Sequence, residues 1–223
     1  MKVSQHHSIE CYGATRIQAG HSSNEDSFLI GREPLPYAAI FDGAGNAEQV
    51  ARSVARFFGI LITNQSAKAR DVIAWANWVR LMDSQLLGGS QSTFLGMAVP
   101  DVEKGLVVGA YAGNSRAYIV GEDGIRLVTA ESSPGRLGSG RVQPKTFSLN
   151  LHLYDTLLLM SDGAWAPLGS NYHVRRTVSS ALARHFSEVP QAILDAATTP
   201  EGPFDDMTVV ALRNRRPRSQ TRS

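Results

Sequence analysis

The stretch Tyr37-Ala-Ala-Ile-Phe-Asp42-Gly-Ala-Gly-Asn46 decides how this chain is read. An apolar run with no polar face reads as a strand buried on both sides. It stops abruptly at Asp42-Gly43, and a helical pattern begins a few residues later. An aspartate at the tip of a rigid strand holds its carboxylate in place, as a metal or catalytic site requires. Gly43 lacks a Cβ, so its carbonyl can come close to whatever Asp42 binds. Taken alone, Asp-Gly is also an ordinary turn. Partners for the Asp42 carboxylate decide between the two readings.

The 223 residues, 43% hydrophobic and 19% charged, suit a globular chain with a sizeable core. One cysteine, Cys11, excludes an internal disulfide and fits a reducing cytoplasm. No signal-peptide core and no run of membrane-spanning length is present, so no membrane role is expected. The net charge of +2 is a product of the last eleven residues, which hold five arginines and no acid. Without them 17 of the 22 basic residues face 20 acidic ones, a net of −3. The reading is a single domain over 1–212 and a basic tail over 213–223 that is expected to be disordered. The tail could meet an acidic partner, but no aromatics interleave with its arginines and no nucleic-acid platform is expected.

Along the chain, strands are expected at 8–14 and 26–31, then over the opening stretch. Asn46 with Gln49 suits a helix start, and Val50, Val54, Phe57 and Leu61 form one stripe. Asp71 caps a second helix with Val72, Trp75, Ala76, Val79, Met82 and Leu86 on one face, stopped at Gly88-Gly89. Four strands follow at 93–99, 105–112, 115–120 and 125–128. Gly113-Asn114 and Asp123-Gly124 suit hairpin turns, which implies an antiparallel meander. A Ser-, Gly-, Pro- and Arg-rich loop occupies 131–145, and strands are expected at 146–152 and 156–160. Helices at 172–186 and from Pro190 to about 198 precede a closing strand, Met207 to Leu212. This order suggests sheets covered by helix pairs.

Four aspartates sit at strand ends: Asp26, Asp42, Asp162 and Asp205. Aimed from one sheet they would repel one another unless a cation lay between them. Oxygen-only ligands select hard ions such as Mg²⁺ or Mn²⁺, and no His or Cys pair has zinc spacing. Two such ions can bind a phosphoryl group and activate a bridging water.

In this order, Asn24-Glu25-Asp26, Phe41-Asp42-Gly43-Ala44-Gly45, Ser92-Thr93, Gly113-Asn114-Ser115-Arg116, Ser161-Asp162-Gly163 and Asp205-Asp206-Met207-Thr208 resemble the motifs of the metal-dependent type 2C protein phosphatases, the PPM family. The resemblance runs from residue 24 to about 212 and is nearest to the compact bacterial members of stress and sporulation signalling. It implies an α+β fold, a four-layer α-β-β-α sandwich of two mostly antiparallel sheets covered by helix pairs. It also implies two Mn²⁺ or Mg²⁺ ions and hydrolysis of phosphoserine and phosphothreonine on a phosphorylated protein substrate. By position, Asp42 would bridge both ions and Gly43 would offer its carbonyl. Asp162 and Asp205 would bind one ion, Asp26 and Glu25 would hold ion-bound waters, and Ser92-Thr93 and Arg116 would be scaffold.

Departures from the pattern bear on the chemistry. Ala44 and Asn46 replace the family's Gly-His-Gly-Gly signature after Asp42, so its general-acid histidine is missing. His21 stands where the phosphate-binding arginine is usual, and is expected to assist phosphate binding or leaving-group protonation. Asn114 replaces an aspartate associated with a third ion, and Asp206 replaces an asparagine, adding charge near the centre. These losses motivate an alternative from another class, a pseudo-phosphatase that binds a phosphoprotein or regulator without hydrolysing it.

Overall fold

The computed structural model describes residues 8–44, 48–86, 90–129 and 133–215. The chain forms β1 (Ser8–Arg16), β2 (Asp26–Gly31), β3 (Tyr37–Ala44), α1 (Glu48–Asn64), α2 (Val72–Gln85), β4 (Gln91–Ser92), β5 (Phe94–Asp101), β6 (Leu106–Ala112), β7 (Arg116–Gly121) and β8 (Gly124–Leu127). It continues with β9 (Lys145–Asn150), β10 (Thr156–Met160), α3 (Asp162–Trp165), α4 (Asn171–Leu182), α5 (Val189–Ala197) and β11 (Met207–Arg215).

Two antiparallel sheets result. One runs β2-β3-β5-β6-β9, with β4 on the end of β3; the other runs β1-β11-β10-β7-β8. They face each other through Ala38, Ile40, Leu95, Met97, Val107, Leu157, Leu159 and Val210, all fully buried or nearly so. The opposite faces are covered by α1 and α2 on the first sheet and by α4 and α5 on the second. This is the expected α-β-β-α sandwich. It explains why Tyr37–Phe41 has no polar face: Tyr37, Ala39 and Phe41 meet the helices while Ala38 and Ile40 meet the other sheet. Among the described residues no helix is long and apolar enough to cross a membrane.

The first helical layer is built on aromatic packing. The Phe58 ring lies 5.2 Å from Phe94, 5.8 Å from Trp75 and 6.3 Å from Phe41. Phe58 rather than Phe57 is therefore the anchor of α1, and Ala51, Val54, Ala55, Leu61 and Ile62 complete its buried face. On α2, Asp71 does cap the start, accepting from the Ile73 N–H at 2.8 Å. Its buried face includes Trp78 and Asp83, whereas Val72 is exposed. The expected cap at Asn46 and stop at Gly88-Gly89 lie outside the described residues.

The meander does not form as expected. β5 and β6 pair in one sheet and β7 and β8 in the other, so Gly113-Asn114 is a crossing between sheets and not a hairpin turn. Both β6 and β7 are buried on both faces, which leaves no alternation to say which sheet each joins. The β7–β8 hairpin does form, turning over Glu122-Asp123 with Gly121 opposite Gly124. Helix α4 ends at Leu182, and a short 3₁₀ turn over Phe186–Glu188 leads into α5, where Pro190 falls in the first turn. The closing strand also runs three residues past its expected end. Arg213 and Arg215 belong to β11, where both pair with Glu10 of β1 at 2.6 and 2.5 Å.

Candidate metal centre

Backbone pairing sets the centre of the site. Asp26 opens β2 and Asp42 closes the apolar run of β3, and the antiparallel register places them directly opposite each other. Both are buried, at 7% and 8% exposure. Like charges on adjacent strands repel. Burial, reinforced by Asp26 and Asp162, raises the Asp42 carboxyl to about 9, against which the Arg136 charge acts. Burial likewise raises Asp26 to about 7, although hydroxyls of Ser161 and Thr208 hydrogen-bond its carboxylate and oppose the shift. One oxygen of each, Asp26 Oδ2 and Asp42 Oδ2, is buried without a hydrogen-bond partner.

The strand end carrying Asp42 is fixed from its backbone. Its N–H donates to Thr93 Oγ1 at 3.2 Å, and its carbonyl accepts from the Thr93 N–H at 2.8 Å. Thr93 Oγ1 in turn shares a 2.9 Å hydrogen bond with Ser115 Oγ. Gly113 packs so closely on Thr93, at φ +98°, that a side chain there would collide with it. Ser92 pairs with Gly43 of β3. Ser92 and Thr93 thus brace the strand end that carries Asp42 and Gly43.

The second sheet delivers the remaining carboxylates. Asp162 opens α3 directly after β10; Asp162 Oδ1 accepts from the Gly163 N–H at 2.9 Å, and Oδ2 accepts from Asn114 Nδ2 at 2.7 Å. Gly163 has no room for a Cβ because the Asp206 carbonyl lies against it. Asn114 thus orients Asp162, while Asn114 Oδ1 is itself buried and unpaired. Its backbone carbonyl accepts from Trp165 Nε1 at 3.2 Å, and the Arg116 guanidinium stacks 3.4 Å from the Trp165 ring centre. Arg116 also donates to Tyr118 Oη at 3.2 Å, so its guanidinium is engaged by neighbouring side chains. Asp205 is more exposed than Asp26, Asp42 and Asp162 and is nonetheless raised, by partial burial and by the Asp162 and Asp206 charges, against the hydrogen bond from the Asp206 N–H.

Asp206 does add negative charge beside Asp26 and Asp205, and it is also a tie. Its Oδ1 accepts from the Gln18 N–H at 2.6 Å and its Oδ2 from the Glu25 N–H at 2.5 Å. It therefore clasps both ends of the loop that carries His21 and Glu25. Asn24 ties the same loop to β1 through Thr15, at 2.8 Å, and Thr15 reaches Thr208 at 2.9 Å. His21 is exposed on this loop, and its N–H closes a turn on the Gln18 carbonyl at 3.2 Å. Glu25 is half-buried, and its carbonyl accepts from the Gly43 N–H at 3.1 Å. The structure brings Glu25, Asp26, Asp42, Gly43, Asp162 and Asp205 to one end of the two-sheet interface.

Sequence reasoning missed Ser161, Thr208 and Asp206 as supports. Ser161 and Thr208 stand in the quoted motifs, but their hydrogen bonds cross between sheets and no local pattern announces them.

Among the described residues no three of these side chains close into a preformed metal cage. The donor set nevertheless fits a hard divalent cation. It is all oxygen, it leaves buried carboxylate oxygens unpaired, and burial and like charge raise Asp26 and Asp42, a cost that a cation would offset. Cys11 lies on β1, where burial pushes its thiol up to about 12 with Arg32 opposing only in part.

The sequence profile of the family described as Stage II sporulation protein E (SpoIIE) matches residues 40–215. No curated protein matches the chain in sequence. Among solved structures, the fold is similar to the Streptococcus agalactiae serine/threonine phosphatase ("S. agalactiae"), at 18% identity and a TM-score of 0.78, covering 92% of this chain and 99% of that one. It is similar to the catalytic domain of the serine/threonine phosphatase PstP in complex with two manganese ions (18%, TM-score 0.74, 94% and 100%). Stp1 from Staphylococcus aureus is a third (20%, TM-score 0.74, 92% and 95%).

Proposed function

Because the chain belongs to the Stage II sporulation protein E (SpoIIE) family, we propose that it is a metal-dependent protein-serine/threonine phosphatase. The observation that carries this reading is the buried pair Asp26 and Asp42, facing across two strands with one unpaired oxygen each. Such a pair is costly unless a cation binds it. Asp42, the Gly43 carbonyl, Asp162 and Asp205 would hold two Mn²⁺ or Mg²⁺ ions, with Glu25 and Asp26 completing the set. Bound divalent ions supply Lewis acidity toward phosphoryl oxygens and lower the pKa of water.

The chain's own residues have the work of orientation. Asn114 and Gly163 fix the Asp162 carboxylate in direction, and Ser161 and Thr208 fix Asp26. Asp206 holds the loop that presents Glu25 and His21. His21, exposed at the mouth, is assigned to contact the phosphate or protonate the leaving group. The similar fold of PstP, whose catalytic domain binds two manganese ions, supports the ion count. The substrate is a phosphorylated protein, met in a reducing cytoplasm that the lone cysteine suits.

The test is Mn²⁺-dependent hydrolysis of an aryl phosphate and a phosphothreonine peptide. Asp42→Asn and Asp162→Asn are expected to remove turnover with the fold intact by circular dichroism. Turnover that survives Asp42→Asn rejects the assignment, and Mn²⁺ binding without turnover in the wild type favours the pseudo-phosphatase.

A further inference from the structure

The loop over 133–143 is more than a connection. Its start pairs with the end of β6, where Ser133 and Gly113 exchange backbone hydrogen bonds of 2.9 and 3.2 Å. Its middle pairs with Ser92, through Leu137 at 2.8 and 3.1 Å, and Leu137 itself is fully buried under α1 and α2. Its next turn is held by Asp83 of α2, whose Oδ1 accepts from the N–H groups of Gly138 and Gly140 at 2.7 and 3.1 Å. Ser92 pairs with Gly43, and Gly113 precedes Asn114, so the loop is pinned on both flanks of the carboxylate cluster.

Arg136 stands one residue before the Leu137 anchor. It is half-buried, and among the described residues its guanidinium makes no hydrogen bond or ion pair. Its positive charge acts on both Asp42 and Asp205. Its backbone is held beside Ser92, which pairs with Gly43 next to Asp42, so an unbonded guanidinium here keeps its planar fork of N–H donors available to a third party near the carboxylates. Cations bound to those carboxylates would repel it, whereas a phosphoryl dianion on the cations would attract it. The arginine expected at position 21 is histidine, so the first loop brings no guanidinium to this mouth.

Resting on the proposed phosphatase reading, we infer that Arg136 is the phosphate-binding arginine of this site, gripping the substrate's phosphoryl oxygens from the loop opposite His21's. The ligand class is a phosphate monoester dianion, and the same contact would hold inorganic phosphate after hydrolysis. Bidentate Arg–phosphate pairs are among the stronger charge-assisted contacts.

Inorganic phosphate is titrated calorimetrically into the Mn²⁺-loaded full chain as wild type, Arg136→Ala and Arg136→Lys, with steady-state kinetics on an aryl phosphate alongside. Arg136→Ala should weaken phosphate binding by about tenfold or more, matching a loss of roughly 1.4 kcal/mol, and raise KM more than it lowers kcat. Arg136→Lys should recover part of the loss, because charge returns without the fork. Mn²⁺ affinity should hold or improve in both variants. Unchanged phosphate affinity in Arg136→Ala overturns the inference, as does a loss of Mn²⁺ affinity that parallels the loss of phosphate. Absence of phosphate binding by the loaded wild type overturns it too. An inactive wild type that binds phosphate through Arg136 leaves the inference standing and rejects only the phosphatase reading.

Discussion

The two sheets feed the site in opposite ways. The carboxylates from the β10 and β11 side are already engaged: Asp162 by Gly163 and Asn114, Asp205 by the Asp206 N–H at 2.8 Å, and Asp206 by Gln18 and Glu25. Those from β2 and β3, Asp26 and Asp42, are deeper, face each other and keep an unpaired oxygen each. One half is held in position by backbone donors and the Asn114 amide. The other stores electrostatic cost that a cation would relieve. Pre-tied ligands fix where an ion sits, and strained ones give it a reason to bind.

Removing the strained half should have the largest effect. Asp42→Asn is expected to cut Mn²⁺-dependent turnover by about 1000-fold or more, about 4 kcal/mol of barrier, while the metal-free protein melts no lower than wild type at pH 8. A lower melting point in that variant would show that Asp42 is structural and would break the contrast between the halves.

Removing the tie should cost stability first. Asp206→Ala deletes two charge-assisted hydrogen bonds and should lower unfolding free energy by about 3 kcal/mol, read by urea denaturation. Turnover should fall with it as the Glu25 loop loosens. Stability equal to wild type would mean that water replaces the carboxylate and that the loop needs no clasp.

The strained half also carries a pH signature in the metal-free protein. Asp26 and Asp42 have folded values of about 7 and about 9, above the unfolded carboxylate range of about 4. Their contribution to stability is therefore full below about pH 4 and is lost as pH rises through about 7 and then about 9. Thermal melts without metal should show a decline in Tm over that window. Asp42→Asn should flatten its upper part, and Mn²⁺ should abolish it. A Tm that stays level across pH 5–9 would show that the pair is not strained.

The smallest effect is expected far from the site. Glu10→Gln weakens the bond between β1 and β11, where partial burial raises the carboxylate but hydrogen bonds and charges from Arg213 and Arg215 together hold it below the usual range. About 1 kcal/mol should be lost at pH 7. The wild type's advantage over the variant should vanish as pH falls below the ordinary carboxylate range, since only the ionised form is held. Turnover should not change.

Much of this was legible in residue order. The buried strand ending in Asp42 stood out because five apolar residues without a polar face leave no other element to be. Asp26, Asp162 and Asp205 stood out because strand ends are where turn chemistry makes a carboxylate visible. The misreadings share one cause. β6 and β7 are apolar on both faces, so the Gly113-Asn114 crossing between sheets looked like a hairpin. Phe57 and Phe58 are equally apolar, and only the aromatic cluster of Phe41, Phe94 and Trp75 selects the second. Arg213 and Arg215 read as tail until Glu10 is placed beside them.

What the residue string determined by itself was the run of longer elements, though not β4 or α3, and the positions of the metal-ligand candidates, because both are written in local period and local turn chemistry. Only tertiary structure decided which aspartates are strained and which are tied, and that Asp206 is a clasp as well as an added charge. It alone set the Arg136 loop beside the Asp42 strand end, through the pairing of Leu137 with Ser92 and of Ser92 with Gly43, from about a hundred residues away in sequence. Burial, register and pairing between distant segments make those differences, and none of them has a local spelling.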